Sequence, residues 1–139
     1  MQKKKFSAHF SNLDDIREFV GDCARGDGFS DKEIYAIQLA VDEACTNVIE
    51  HAYGGEGDGV LEIRCGVSNE VITVIIRDWG KPFDPSNVPE PKLDEGLFER
   101  RIGGLGVYLM RKLMDSVGYV PSSESGNILT LTKRKWVDS

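Results

Sequence analysis

The sequence predicts an α+β fold, a two-layer sandwich in which a mostly antiparallel sheet carries its helices on one face. Three observations predict it. Segments of alternating apolar and polar residues lie at the start, centre and end of the chain, three segments have helical spacing, and the later strands come in pairs. With 139 residues and 40% hydrophobic residues, the chain is long enough to bury a core, and we expect residues 1–139 to form a single domain.

The first segment is predicted to hold a strand and a helix. Apolar residues alternate from Lys3 to Phe10, which indicates an opening strand. Ser11, with Asp14 three residues later, resembles a helix-capping signal. The helix that follows has its apolar positions at Leu13, Ile16, Val20 and Cys23.

A second, longer helix is predicted to begin at Ser30, which forms a capping box with Glu33. Gly54 and Gly55 predict its end. Between these signals the apolar residues form a single stripe, at Ile34, Ile37, Val41, Ala44 and Val48.

The centre of the chain predicts a β-hairpin. Val60 to Val67 alternates as a half-buried strand does, and residues 68–70 are typical of a turn. Val71 to Ile76 is almost wholly apolar and β-branched, which predicts a more buried strand. This strand ends at the residues Asp78, Trp79 and Gly80.

Regular patterning stops between Lys81 and Ile102, where four of the five prolines lie. A connection of this length inside a compact domain is usually functional, so we predict a lid at about residues 81–102. Residues 103–106 then lead into a third helix, with apolar positions at Leu109, Leu113, Met114 and Val117. Two strands, around Tyr119 and around Leu129 and Leu131, are predicted to close the sheet.

Composition excludes several classes of function. A net charge of -6 argues against a general nucleic-acid binder, because such affinity comes from clustered basic residues. No apolar run approaches the roughly 20 residues that span a membrane, and the N-terminus lacks the apolar core of an export signal. Three widely spaced cysteines are expected to be reduced core residues, so we expect a soluble, cytoplasmic protein.

Polar residues on the second helix could carry chemistry. At about 100° per residue, Glu43, Asn47 and Glu50 fall within one narrow sector beside the apolar stripe. An asparagine oxygen is a ligand suited to magnesium, and a nearby glutamate can accept a proton. Taken alone, the same residues also fit an ordinary solvated helix face.

Two further features could bind a ligand. Asp78 ends a buried strand, where its carboxylate could read an exocyclic amine or could simply close a turn. The glycine-rich residues 103–106 precede a helix, where free backbone N–H groups favour phosphate, although a flexible hinge would look the same. The spacing matches neither a Walker loop nor a Rossmann motif. Neither His9 nor His51 suggests metal ligation.

Four motifs in this order are what make the pattern specific: Glu-Ala-Cys-Thr-Asn at 43–47, Glu-His-Ala-Tyr at 50–53, Asp-Trp-Gly-Lys-Pro-Phe-Asp-Pro at 78–85, and Arg-Ile-Gly-Gly-Leu-Gly at 101–106. The set resembles the ATPase superfamily shared by DNA gyrase, histidine kinases and mismatch-repair ATPases, with its Bergerat-type fold. Within that superfamily it is most similar to the bacterial anti-sigma-factor serine/threonine kinases of partner-switching systems. The resemblance covers nearly the whole chain.

The resemblance implies a role for each matching residue. Asn47 would coordinate magnesium, Glu43 would be the general base, and Asp78 would hydrogen-bond the adenine amine of ATP. Gly80 would shape the adenine pocket, and Arg101 would lie near the γ-phosphate. The segment that approaches the phosphates would be Gly103, Gly104, Leu105 and Gly106. One position departs from the family pattern, because Gly126 is followed by Asn127 where the family often has a threonine that helps to bind adenine.

The function expected from this resemblance is transfer of the γ-phosphoryl group of ATP to a serine or threonine of a small anti-anti-sigma antagonist. An alternative is a non-catalytic module in which nucleotide switches affinity for a sigma factor or another regulator. The catalytic half of a histidine kinase and a gyrase-like motor are less favoured. The first strand and helix could also provide an apolar edge for a homodimer, which periodicity does not distinguish from core packing.

Overall fold

The structure, a computed structural model, describes residues 1–83 and 104–136, with side chains in the second range from residue 108 onward. Its elements follow the predicted order. They are β1 (Gln2–Ser7), a 3-10 turn (Phe10–Asn12), α1 (Leu13–Gly26), α2 (Asp31–Asn47), a π-helical turn (Val48–Ala52), β2 (Val60–Ser68), β3 (Val71–Asp78), α3 (Gly104–Leu113), β4 (Ser116–Val120) and β5 (Asn127–Arg134).

The five strands form one sheet in the order β1-β2-β3-β5-β4, and every neighbouring pair is antiparallel. Burial alternates along β3, the central strand, which shows that one face of the sheet is covered and the other is more open. The covered face and the helices share one hydrophobic core, in which Ile37, Ile63 and Val74 are fully buried. The predicted α+β sandwich is therefore confirmed.

Helix α2 begins as its sequence predicts. The hydroxyl of Ser30 accepts a hydrogen bond from the Glu33 N–H, and the Glu33 carboxylate accepts one from the Ser30 N–H. The helix does not run uniformly to the glycines, because after Asn47 it continues as a π-helical turn before Gly54 and Gly55, both at positive φ. The predicted apolar stripe is buried along its whole length.

The β2–β3 hairpin also forms where it is predicted. Ser68 pairs with Val71, so Asn69 and Glu70 make up a two-residue loop. Both loop residues have positive φ, at 53° and 65°, which is the backbone that tight hairpins with the sheet's twist require.

The N-terminal prediction was wrong in two details. The opening strand ends at Ser7 rather than Phe10, because the Asn12 amide donates to both the carbonyl and the hydroxyl of Ser7 and turns the chain. Ser11 does not cap α1, since it lies within the 3-10 turn and Asn12 occupies the N-cap position without a side-chain cap.

The predicted apolar face of α3 is also corrected. Met110 and Met114 are buried, whereas Leu109 and Leu113 are only partly buried. Val117 belongs to β4, paired with Leu131, because the helix ends at Leu113. The periodic apolar positions run on from the helix into the strand, so spacing alone extended the helix too far.

No helix in the described ranges is long and apolar enough to cross a membrane. The three cysteines are free thiols, with Cys45 and Cys65 buried and Cys23 partly buried. Burial raises the pKa of Cys45 and Cys65 well above the usual thiol range, which keeps both protonated and unreactive.

Candidate functional site

A cavity that is partly open to solvent lies between α2, the ends of the sheet strands and α3. Most of its lining is apolar, and only a few polar groups converge on it. The lining residues are Ala44, Asn47, Val48, Ala52, Asp78, Phe83, Met110, Tyr119 and Leu129.

The helix wall of this cavity is formed by Ala44, Asn47, Val48 and Ala52. Asn47 is buried, with 6% of its surface exposed, and its Nδ2 has no hydrogen-bond partner within the described parts of the chain. An unsatisfied buried amide is costly, so a buried group of this kind is expected to serve a ligand. The π-helical turn begins directly after Asn47, and single π turns occur often at functional sites.

Glu43 lies one turn before Asn47 on α2, is partly buried, and does not itself line the cavity. Burial raises the pKa of its carboxyl group, and the negative charges of Asp42 and Glu50 raise the pKa further. A carboxylate whose pKa is raised toward neutrality is a stronger base, which suits proton abstraction.

The strand wall is formed by Asp78 at the end of β3 and Leu129 of β5, with Asn127 behind Asp78. Asp78 and Asn127 are directly paired across the two strands and are 4% and 2% exposed. The Asp78 Oδ1 accepts a hydrogen bond from the Gly80 N–H at 2.9 Å and another from the Asn127 Nδ2 at 3.0 Å. The buried carboxylate is therefore held in one orientation.

Burial raises the pKa of Asp78, and the hydrogen bonds from Asn127 and Gly80 oppose that rise because they stabilise the charged form. The two donors thus help to keep Asp78 a hydrogen-bond acceptor. An acceptor in an otherwise apolar cavity can read the exocyclic amine of a base, as the sequence suggests.

Two glycines allow the strand wall to form. A Cβ on Gly80 would lie 2.5 Å from the Ala52 carbonyl oxygen, at the place where the Lys81 N–H bonds to that same oxygen. Gly126 has φ +90°, and a Cβ there would lie 2.8 Å from the Asp78 carbonyl oxygen. A side chain at either position would displace the backbone around Asp78.

Two aromatic side chains, Phe83 and Tyr119, line the cavity and were not predicted as site residues. The Phe83 ring stacks on His51 at 4.5 Å between centroids, and the Phe83 N–H donates to the Tyr119 hydroxyl. His51, behind Phe83, has a buried Nε2 without a partner among the described residues. Phe83 lies within the motif at 78–85, which could have indicated it, whereas no sequence signal identifies Tyr119 because it comes from a distant segment.

The structure brings together only part of the predicted site. Asn47 and Asp78 share the cavity, Glu43 is one turn away, and Gly80 supports Asp78. Gly104, Leu105 and Gly106 form the first turn of α3, four to six residues or about 6 to 9 Å of helix rise before Met110 in the cavity. Arg101, Gly103 and the predicted lid beyond residue 83 lie outside the described residues.

Asn127 stands where the family often has a threonine, and the structure shows what its side chain does there. Its Nδ2 also donates to the Gly80 carbonyl at 2.9 Å, so both of its N–H groups are used within the protein. Its Oδ1 accepts a hydrogen bond from the Ser122 N–H at 3.3 Å. Asn127 therefore positions Asp78 and has no amide donor left for a ligand.

Comparisons with known proteins identify the family of this chain. The family model of the histidine kinase-like ATPase domain matches residues 6–133. The chain is 38% identical over 114 residues to the serine-protein kinase RsbW of Bacillus velezensis, covering 76% of this chain and 68% of that protein. It is 36% identical over 126 residues to the serine-protein kinase RsbW of Bacillus subtilis, covering 85% and 75%.

Solved structures show the same fold at low identity. The RsbU and RsbW domains of Rv1364c from Mycobacterium tuberculosis match with a TM-score of 0.63 and 16% identity, covering 97% of this chain and 33% of that one. The catalytic domain of the histidine kinase ThkA matches with a TM-score of 0.55 and 16% identity, covering 97% and 99%. Given the family match over residues 6–133 and relatives at 36% to 38% identity, the chain belongs to the histidine kinase-like ATPase family.

Proposed function

We propose that this protein is an ATP-dependent serine/threonine kinase and anti-sigma regulatory factor that phosphorylates a small anti-anti-sigma antagonist. The observation that carries the proposal is the placement of Asn47 and Asp78 in one cavity, with Glu43 one helical turn from Asn47. The similarity to serine-protein kinases over most of the chain supports the same activity.

Adenine binds against the strand wall in this proposal. The Asp78 carboxylate accepts a hydrogen bond from the exocyclic amine, and the apolar side chains of Val48, Met110 and Leu129 contact the flat base. The hydrogen bonds to Oδ1 keep the carboxylate oriented for this contact.

The phosphates lie toward α2 and the start of α3. The residues fit a magnesium ion, since the buried Asn47 amide has an unsatisfied atom and a half-turn about its Cβ–Cγ bond would present the oxygen there. Magnesium would neutralise charge on the phosphates. The free N–H groups in the first turn of α3, at Gly104, Leu105 and Gly106, favour the same anion. Gly103 and Arg101 are proposed to complete the phosphate contacts.

Glu43 acts as the general base. The serine hydroxyl oxygen of the antagonist bonds to the γ-phosphorus, the bond from that phosphorus to the bridging oxygen breaks, and ADP leaves. The hydroxyl proton passes to the Glu43 carboxylate. Its raised pKa favours proton transfer, while the remaining catalysis comes from positioning and charge stabilisation, as is usual in phosphoryl transfer.

The partners follow from this chemistry. We propose that residues 1–139 form one cytoplasmic ATP-binding domain, which binds the antagonist as phosphoacceptor and a sigma factor as its regulated target, with residues 81–102 as the lid over the nucleotide. A homodimer is compatible with this proposal. Neither nucleic acid nor a membrane is a direct partner.

The proposal is tested by incubating the protein with labelled ATP, magnesium and a candidate antagonist, and by comparing Glu43→Gln with wild type. A positioned base contributes about 10² to 10⁴ in rate, so phosphotransfer should fall by that factor while the affinity for ATP is retained. The matched control is Glu18→Gln, which removes an exposed carboxylate on α1. This control should transfer phosphate at nearly the wild-type rate.

Transfer by Glu43→Gln at the wild-type rate would refute the role of Glu43. If the wild-type protein binds ATP and retains its partner only in one nucleotide state, yet never labels the antagonist, the protein is a nucleotide-gated binding module instead of a kinase.

A further inference from the structure

The Asp78 carboxylate has two oxygens with different surroundings. Oδ1 receives two hydrogen bonds, from the Gly80 N–H and from Asn127 Nδ2. Within residues 1–83 and 104–136, no hydrogen bond reaches Oδ2. Since Asp78 lines the cavity, Oδ2 is the acceptor that remains for a ligand there.

The Asn127 amide, which donates to Oδ1, has all of its own hydrogen-bonding groups paired within the protein. Asn127 is 2% exposed and uses one N–H for Asp78 and the other for the Gly80 carbonyl. Its Oδ1 is held by the Ser122 N–H. Asn127 can therefore neither release Oδ1 nor donate to a ligand without losing a buried hydrogen bond, and such losses are costly.

Adenine and guanine present different hydrogen-bond donors and acceptors to the strand wall. Adenine presents one exocyclic amine, for which a single acceptor is sufficient. Guanine presents two adjacent donors, its N1–H and its exocyclic amine, which match both oxygens of one carboxylate, and it carries an acceptor oxygen where adenine has the amine. A wall with one free carboxylate oxygen and no spare amide donor satisfies adenine and leaves guanine partly unpaired.

We propose that Asn127 is a specificity-determining residue that restricts the site to adenine nucleotides and disfavours guanine nucleotides. It does so because it donates to Oδ1 of Asp78 and because both of its N–H groups are bonded inside the protein. The inference rests on the proposed function, since it assumes that the base of a nucleotide lies against Asp78. Asn127 acts on the base through Asp78 and makes no contact with the ligand itself.

The test measures the dissociation constants of MgATP and MgGTP by calorimetry for wild type and for Asn127→Ala, at about pH 8 so that the carboxylate stays ionised. Wild type should prefer ATP. In the variant, the ratio of the two constants should move toward one by roughly tenfold or more, because discrimination by unpaired polar groups is large. Asn127→Leu, which keeps the number and branching of the side-chain heavy atoms but has no donor, is the second variant should the alanine form not fold.

The matched control is Ser122→Ala. This change removes the hydroxyl that bonds Ser125 but leaves the Ser122 N–H that holds Asn127, so the ATP to GTP ratio should stay at its wild-type value. Thermal unfolding of each variant without nucleotide verifies that the fold is retained.

Three results separate the possibilities. A ratio that moves toward one in either Asn127 variant, with the control unchanged, supports the inference, and a ratio that moves away from one overturns it. Equal losses of ATP and GTP affinity would mean that Asn127 only stabilises the fold, and would overturn the inference while the proposed kinase remains. Wild type that binds neither nucleotide would overturn the proposed function and the inference with it.

Discussion

The helix wall and the strand wall of the cavity differ in how their polar atoms are satisfied. On the helix wall, Asn47 Nδ2 is buried without a partner among the described residues, and nearby Glu43 is partly buried beside like charges. On the strand wall, Asn127 donates to the Asp78 carboxylate and to the Gly80 carbonyl. Asp78 also accepts from the Gly80 N–H, and Asn127 accepts from the Ser122 N–H. The two walls face the same cavity within one small fold.

This difference shows that one site can combine a rigid surface for recognition with polar groups that stay available for chemistry. A buried polar network that is satisfied internally is rigid, which suits the recognition of a flat base with few contacts. Buried polar groups that form hydrogen bonds only when a ligand is bound lower the stability of the free protein. Active sites commonly contain such groups, because function requires them. In our proposal the strand wall reads the base, and the helix wall holds phosphate, metal and the transferred proton.

The largest expected effect is on the strand wall, from Gly126→Ala. The substitution combines positive φ with a Cβ only 2.8 Å from the Asp78 carbonyl oxygen, so we expect the free energy of unfolding to fall by about 2 to 4 kcal/mol. Urea denaturation measures it. Gly26→Ala is the control, since Gly26 ends α1 with no atom within 4 Å of its added Cβ and without positive φ. That control should change stability by less than about 1 kcal/mol.

A fall of similar size in both glycine variants would show that the strand wall has no special backbone constraint. The comparison between the walls would then rest on side-chain hydrogen bonds alone.

The next effect compares the two buried asparagines directly. Without nucleotide, Asn127→Ala should lose about 1 to 3 kcal/mol of unfolding free energy, because Asp78 and Gly80 each lose a donor. Asn47→Ala should lose less than about 0.5 kcal/mol, because its Nδ2 makes no hydrogen bond and alanine is the better helix former. Denaturant titrations of both variants measure the difference.

Adding MgATP should reverse the order of stability, so that Asn127→Ala becomes more stable than Asn47→Ala. Wild type should gain stability by linkage, and Asn47→Ala should gain much less because it lacks the proposed metal ligand. Equal stability losses without nucleotide would contradict the contrast between a paired and an unpaired wall.

The smallest effect concerns Glu43, whose folded pKa is raised by burial and by Asp42 and Glu50. A raised carboxyl pKa means that the folded state holds its proton longer, so stability falls as pH rises from about 4 through the folded pKa, and is level above it. Glu43→Gln does not titrate, so at pH 7 it should be more stable than wild type by a few tenths of a kcal/mol, discounted for its partial exposure.

This gain should disappear below about pH 4, where the wild-type carboxyl group is protonated in both states. Denaturation curves between about pH 3 and pH 8 follow it, with Glu124→Gln, which removes an exposed carboxylate in the turn before β5, as the control. A gain that persists at the lowest pH would attribute the stabilisation to something other than charge.

Much of the fold could be predicted from local signals. The capping box of α2, its apolar stripe and the two-residue β-hairpin turn formed where the sequence places them, because each depends on residues within a few positions of one another. The errors fall where local signals are weak or overlap. Ser11 has the sequence of a helix cap, but the 3-10 turn places Asn12 at the N-cap position instead. Val117 fits the helical spacing of α3, but it lies in β4.

The site could be predicted only in part. Residues 43 and 47 are one turn apart on a helix, so their proximity is dictated by helix geometry, and Asp78 was identified through a motif. Phe83 lies in the same motif but was given no role, and Tyr119 was missed because 36 residues separate it from Phe83 and no local pattern relates the two. The threonine expected by resemblance after Gly126 gave no indication of what Asn127 would do in its place.

The sequence by itself determined the order of the elements, the buried face of α2 and the helical pairing of Glu43 with Asn47, because these follow from backbone periodicity and capping chemistry. Which polar atoms are satisfied depends on how distant segments pack. Asp78 meets Asn127 because β3 and β5 pair in one register, and Asn47 Nδ2 stays unpaired because no described neighbour reaches it across the cavity. Hydrogen-bond satisfaction depends on distances between strands and helices far apart in sequence, which no local pattern specifies.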